Sequence, residues 1–127
     1  MGPMTPHDVL GWVRMYETAW RSPGTATLAG LFTEDAGYLM SPWEEPVRGL
    51  AAISELWEAE RVSPDEVFTL SSEVVAVDGD VAVVRAEVEY AASGTSWRDL
   101  WVLRFATDGR CSWFEEWPFA PDQPDGH

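Results

Sequence analysis

Two carboxylates stand among large apolar neighbours. Asp99 lies between Trp97 and Trp101 in the run SWRDLWVLRF, and Glu116 lies close to Phe114 and Trp117 in the run SWFEEWPF. Side chains alternate across a strand, so Trp97, Asp99, Trp101 and Leu103 share one face, as do Phe114, Glu116 and Pro118. A bulge in the last strand would put Glu115 in the place of Glu116. A carboxylate among tryptophans loses hydration, which favours its neutral form and raises its pKa. That is how a carboxyl group becomes a general acid, or a base near neutral pH. Tyr16 is the third candidate, because it falls within an apolar helical stripe and its hydroxyl points toward whatever the helix covers. The expected chemistry is an acid/base pair, Asp99 with Glu116, and Tyr16 as hydrogen-bond donor to a substrate oxygen. It would shuffle protons on a hydrophobic substrate by isomerisation, cyclisation, dehydration or epoxide opening. The competing reading is structural: Asp99 accepts from an indole or an arginine and anchors the sheet, and Tyr16 is ordinary core.

Absences narrow the chemistry further. The chain has no Lys, which removes Schiff-base chemistry and the phosphate-loop lysine, and it has no Asn. A single cysteine, Cys111, allows no internal disulfide and no thiolate zinc cluster. Both histidines, His7 and His127, lie at the ends, so a Ser-His-Asp triad, a Cys-His pair or a His-rich metal site is not expected. No cofactor or metal is called for. The net charge of −14 argues against nucleic acid and anionic membrane as partners, since phosphate binding needs clustered cations. No apolar run approaches the ~20 residues of a membrane span. The N-terminal stretch MGPMTPHDV lacks the charged and apolar regions of a secretory leader, so a cytoplasmic protein is expected. Richness in Arg, Ala, Gly and Pro without Lys or Asn hints at a high-GC bacterial source.

The chain's 127 residues suit one domain. After a loose residue 1–4 stretch, Thr5-Pro6-His7-Asp8 reads as a helix start, with Thr as cap, Pro at the first position and an acid three residues after the cap. Val9, Trp12, Val13, Tyr16 and Trp20 recur at helical spacing, and Ser22-Pro23-Gly24 ends the stripe. Thr25 is expected to cap a short second helix that buries Leu28, Leu31 and Phe32. Thr33-Glu34-Asp35 reads as a turn, and Gly37 to Ser41 as a short strand with Tyr38 and Met40 on one face. Pro42 to Pro46 is a loop whose Trp43 could cover a pocket. Leu50 to Arg61 forms a third helix with Leu50, Ile53, Leu56 and Trp57 buried, ended by Ser63-Pro64; Arg61 could reach a carboxylate from it. Glu66 to Val77 and Asp80 to Tyr90 pair through Asp78-Gly79, with Val84, Ala86 and Val88 inward. A second hairpin, turning at Asp108-Gly109, carries the two candidate carboxylates. The class is α+β: three N-terminal helices packed on a curved, mainly antiparallel sheet, leaving a conical pocket at whose mouth a ligand would sit.

This order resembles the nuclear transport factor 2-like superfamily, which includes SnoaL-like polyketide cyclases and ketosteroid isomerases. The resemblance is carried by Tyr16 with Trp20, LAGLFTEDA from Leu28 to Ala36, Glu45-Pro46 with Arg48-Gly49, Ala51-Ala52-Ile53, and DLWVLRF with DGR. It implies the conical pocket and, commonly, a homodimer packed through the outer sheet face. Tyr16 matches the ketosteroid isomerase tyrosine that donates to the substrate oxygen. That family's general base would fall at Met40 and its second acid at Trp101, so steroid isomerisation by that mechanism is not expected. Limonene epoxide hydrolase-like members use an Asn, which the chain lacks, and polyketide cyclases and scytalone dehydratase-like members lean on a His with an Asp, but no His stands in the body of this chain. By its match to a pocket position Trp101 faces the cone, and Asp99 with it; the family's cavity-lining register places Glu116 likewise. Trp20, Tyr38, Met40, Trp57, Val88, Trp97, Trp101 and Phe114 are the expected ligand-binding wall. The expectation is a SnoaL-like domain over residues 5–119 with a disordered tail over 120–127, binding a small hydrophobic molecule as a homodimer. The alternatives are a non-catalytic dimeric ligand-binding or accessory module, and a protein-interaction domain.

Overall fold

The computed structural model describes residues 3–60 and 67–123. Its elements run α1 (Pro6–Arg21), α2 (Leu28–Leu31), β1 (Phe32–Leu39), β2 (Val47–Arg48), α3 (Leu50–Glu60), β3 (Phe68–Asp78), β4 (Val81–Tyr90), β5 (Thr95–Phe105) and β6 (Cys111–Phe119). The strands form one curved sheet in the order β2-β1-β6-β5-β4-β3, antiparallel at every pairing except β1 with β6. This is the α+β architecture that the grouping of helical and alternating stretches predicts.

The first helix starts as its sequence demands. Asp8 N–H donates to Thr5 Oγ1 at 3.1 Å and Thr5 N–H to Asp8 Oδ2 at 3.0 Å, a reciprocal cap that satisfies two exposed amides. Val9, Trp12 and Val13 are buried against the sheet. The Trp12 indole donates to the Leu31 carbonyl at 3.0 Å and so ties α1 to the end of α2. Trp12 also meets Phe32, Phe105 and Phe114, which makes it the centre of the core beneath the helices. Ile53 and Trp57 bury the inner side of α3.

Several expectations need correction. Thr33-Glu34-Asp35 is not a turn but part of β1; the pairing with β6 slips between Phe32 and Gly37, and that irregularity is what interrupts the alternation. Thr27, not Thr25, precedes α2, and it makes no side-chain cap; the Thr25 carbonyl accepts from Leu28 N–H at 3.2 Å instead. Phe32 belongs to β1. The two-residue β2 has no sequence signal, since its order comes from pairing Val47 with Tyr38 and Arg48 with Gly37. Met4 is not loose, because its N–H donates to the Gly79 carbonyl at 3.1 Å. Gly79 takes φ 61° in the β3–β4 turn, one residue later than read. At the β5–β6 turn Gly109 takes φ 87°, but after Thr107 and Asp108, with Ala106 N–H donating to the Arg110 carbonyl at 2.8 Å. This is a three-residue loop with glycine at the left-handed position rather than a two-residue turn. Arg61, Ser63-Pro64, Glu66 and the tail from Pro124 to His127 lie outside the described residues, as do Met1 and Gly2.

Candidate functional site

Register alone brings the two carboxylates together. In the β5–β6 pair Leu103 faces Phe114, Trp101 faces Glu116 and Asp99 faces Pro118. Asp99 and Glu116 are therefore diagonal neighbours on one face, a placement that typically puts Cβ atoms about 7 Å apart. The slip in this pairing falls between Arg104 and Phe105, at the turn, so it leaves the register beyond intact. Glu116 points inward and Glu115 outward.

A cavity of about 680 Å³ opens over this face. Phe114 and Leu103 are fully buried and lie behind its floor. Tyr16 and Tyr38 both stack on Phe114, with centroids 5.5 and 4.7 Å away and near-parallel planes, so a packed ring holds both phenols by their faces. Trp57 meets Tyr16 at 5.4 Å and Trp20 at 4.8 Å, and Tyr16 meets Trp101 at 5.0 Å. Val88 and Trp97 are cross-strand partners nearer the mouth. Of the expected residues, Tyr16, Trp20, Tyr38, Met40, Trp57, Val88, Trp97, Asp99, Trp101 and Glu116 line the cavity. Phe114 does not; it supports the lining from behind.

Electrostatics follow from the desolvation. Burial pushes Glu116 up to about 8, helped by the negative charge of Asp99 and more weakly by that of Glu60, while the Trp101 indole opposes the shift. Burial likewise pushes Asp99 up to about 6, again opposed by the Trp101 indole. That indole donates to Glu116 Oε2 at 3.2 Å, a long bond for a group so placed. Asp99 is 7 % exposed and its Oδ1 has no hydrogen-bond partner. Burial thus biases both groups toward the neutral form, and the charge of Asp99 biases Glu116 further. Burial raises Tyr16 and Tyr38 well above the ordinary phenol range, so both remain donors. Trp57 Nε1 is a third buried donor without a hydrogen-bond partner, near the Tyr38 hydroxyl. The cavity therefore brings two phenols and an indole near the carboxyl pair, close enough for the charge of Glu116 to act on both phenols.

Of the lining residues outside the expected set, two are charged, Glu44 and Glu60. Glu60 follows Trp57 by three positions and so continues the buried side of α3 to the rim. Glu44 comes from the Pro42–Pro46 loop, where no periodicity exists to orient it. Trp43, expected as a cover, is 97 % exposed and touches none of the cavity. Among the described residues no histidine, cysteine, aspartate or glutamate group is arranged to hold a metal ion. No described helix is long and apolar enough to cross a membrane.

Comparison with known proteins agrees with the geometry. The sequence profile of a family described as a SnoaL-like domain matches residues 12–113. A candidate polyketide cyclase from Sinorhizobium meliloti is 26 % identical, with a TM-score of 0.66 over 89 % of this chain and 99 % of its own. A nuclear transport factor 2-like protein of unknown function from Mesorhizobium loti is 24 % identical, with a TM-score of 0.67 over 90 % and 93 % of the two chains. A candidate SnoaL-like polyketide cyclase from Jannaschia is 18 % identical, with a TM-score of 0.71 over 87 % and 84 %. No curated protein matches the sequence. With 261 solved chains matching, the fold is too widely used to fix a reaction, and the site must carry that argument.

Proposed function

The chain belongs to the SnoaL-like family, and from that premise we propose that it binds a small, largely apolar carbonyl compound and moves protons on it without a cofactor. The observation that carries this reading is the pairing of Asp99 and Glu116, both desolvated, in one cavity with Tyr16, Tyr38 and the Trp57 indole. A carbonyl oxygen fits against these donors. Asp99, ionised, takes a proton from the carbon next to that carbonyl; the C–H electron pair moves onto the oxygen, where Tyr16 and Tyr38 hold the developing charge. Glu116, protonated, returns a proton to another carbon or to a departing hydroxyl. In isomerisation that proton lands on another carbon; in dehydration it lands on the hydroxyl as the C–O bond breaks and water leaves; in cyclisation the enolate carbon bonds to a second carbonyl carbon of the same molecule, whose oxygen takes the proton. Epoxide opening would use the same acid on the epoxide oxygen.

The test needs no knowledge of the substrate. Apolar ketones incubated with the protein in D2O should exchange the hydrogens beside the carbonyl faster than in buffer, read by mass spectrometry. Asp99→Asn should remove that exchange while ketone affinity stays within about tenfold. A ketone that binds but does not exchange, or exchange that persists in Asp99→Asn, contradicts the catalytic reading.

The Trp101 N–H bond to Glu116 favours a second reading, a dimeric binding module whose carboxylates anchor the sheet. In that case Glu116→Gln would lower stability and affinity together. Self-association through the outer sheet face is part of our proposal in either case. Leu100 and Trp117 are cross-strand partners on that face, and both are substantially exposed, as is Phe119. Sedimentation of the wild type beside Trp117→Arg reads it directly.

A further inference from the structure

The charges of the cavity wall are all of one sign. Asp99 and Glu116 lie within it, Glu44 and Glu60 stand at its rim, and no lysine, arginine or histidine lines it among the described residues. Glu60 is close enough for its charge to act on Glu116, so rim and interior share one field. The rest of the wall is rich in aromatic faces, with Trp20, Trp57 and Trp97 leading from the rim inward.

An acidic rim by itself would be only a solvated surface. Here a second feature belongs to the same space: Asp99, more than nine-tenths buried, lines the cavity, and its Oδ1 has no hydrogen-bond partner. A buried carboxylate oxygen left without a donor is unfavourable unless a ligand or solvent supplies one. Indole faces attract cations through the negative face of the ring, and the attraction grows when water is excluded. An anionic ligand would meet four acidic side chains and, among the described residues, no compensating cation. The net charge of −14 also draws cations toward the protein and repels anions at long range.

We propose that the cavity selects a ligand bearing a basic amino group, bound as an organic cation. Its ammonium sits at the rim against Glu60 and Glu44, flanked by the Trp20 and Trp97 indoles, and its apolar body reaches inward past Trp57 toward the carboxyl pair. This rests on the proposal that the cavity binds a small apolar molecule, and it names the substrate class: an amine-bearing compound rather than a free acid, a phosphate ester or a thioester of an anionic carrier.

Three probes on one scaffold test the charge separately from the binding. Titration calorimetry with (1-naphthylmethyl)trimethylammonium, 1-naphthalenemethanol and 1-naphthaleneacetate compares cation, neutral and anion of similar size. The cation should bind at least about tenfold tighter than the alcohol, a preference of the size that aromatic and charged contacts supply. The acetate should bind weaker than the alcohol. Glu44→Gln and Glu60→Gln should each cut the cation-to-alcohol affinity ratio about threefold, with folding checked by circular dichroism. Rising salt should shrink the ratio as well. If the alcohol binds as tightly as the cation, the charge selection is wrong and the apolar-cavity reading survives. If the preference persists unchanged in the Glu44→Gln, Glu60→Gln double variant, the rim assignment is wrong. If none of the three probes binds, the cavity reading and this inference fall together.

Discussion

Glu115 and Glu116 are consecutive residues of one strand, and both accept a hydrogen bond from an indole, yet they live in different chemistry. Glu115 faces outward, half-buried. Its Oε1 accepts from the Trp113 indole at 3.0 Å and its Oε2 from the Trp117 indole at 2.6 Å, so both oxygens are satisfied. Glu116 faces inward, has a single bond to Trp101 at 3.2 Å, and meets a second carboxylate. The outer arrangement is a clamp: two short bonds fix the carboxylate and cross-brace the strand. The inner one is poised, since burial without full compensation lets a small change in surroundings move a proton. An indole partner therefore does not identify a catalytic carboxylate. What distinguishes the inner face is the uncompensated oxygen and the neighbouring charge.

The sharpest way to break this contrast is a pair of isosteric changes. Glu116→Gln should lower turnover of any substrate found by roughly 10² to 10⁴, the range of a general acid or base. Glu115→Gln should leave it within about threefold. Equal losses from the two would mean that strand geometry, rather than proton transfer, limits the rate.

Packing should follow the same division. Phe114→Ala removes the fully buried ring on which both phenols stack and should destabilise by about 3–5 kcal/mol in urea unfolding. Trp117→Ala, on the outer face and 40 % exposed, should cost about 1 kcal/mol, mostly through its bond to Glu115.

A third comparison uses pH. The folded state raises Glu116 above its ordinary 4.5 to about 8, so the native protein binds more protons than the unfolded chain across that window. Stability is then fully present below about 4.5, falls as pH rises, and is lowest above 8. The loss should be on the order of a few kcal/mol, given the value of one pKa unit. Urea midpoints on either side of the window should show it, and Glu116→Gln should flatten the slope and be the more stable variant at high pH. A wild-type curve rising through the same window would invert the assignment. The smallest effect belongs to Trp43→Ala. Its side chain is 97 % exposed, so stability should shift within about 0.5 kcal/mol and ligand affinity should not move.

Most of the architecture could be read from periodicity because the elements that carry it are amphipathic. The α1 stripe with its Thr5–Asp8 cap, the α3 stripe and the alternation in β4, β5 and β6 each leave one face wet, and that asymmetry is written in residue order. β1 was harder, because it is an inner strand, paired on one side with β6 and on the other with β2, and its slip after Phe32 mimics a turn. β2 exists only through its partner. The inward direction of Asp99 came from its alternation with Trp101 together with the family resemblance. That of Glu116 depended on where the last hairpin's slip falls, a property of the Gly109 turn that no local pattern fixes. The Asp99–Glu116 proximity is a product of register between two strands, and Glu44's place at the rim is a product of loop geometry. Gly37 illustrates a constraint that only the fold reveals: a Cβ there would lie 2.5 Å from Trp113 Cε3, so glycine is required by close packing rather than by a turn.

The proposed acid/base pair requires that Asp99 and Glu116 share a proton near neutral pH. Carbon-13 labelling of glutamate side-chain carboxyls, with Glu116 assigned by its loss in Glu116→Gln, lets NMR follow its titration directly. We predict a midpoint near 8, and a downward shift in Asp99→Asn as the neighbouring negative charge is removed. A Glu116 carboxyl that titrates near its ordinary 4.5 and ignores Asp99→Asn would contradict the account.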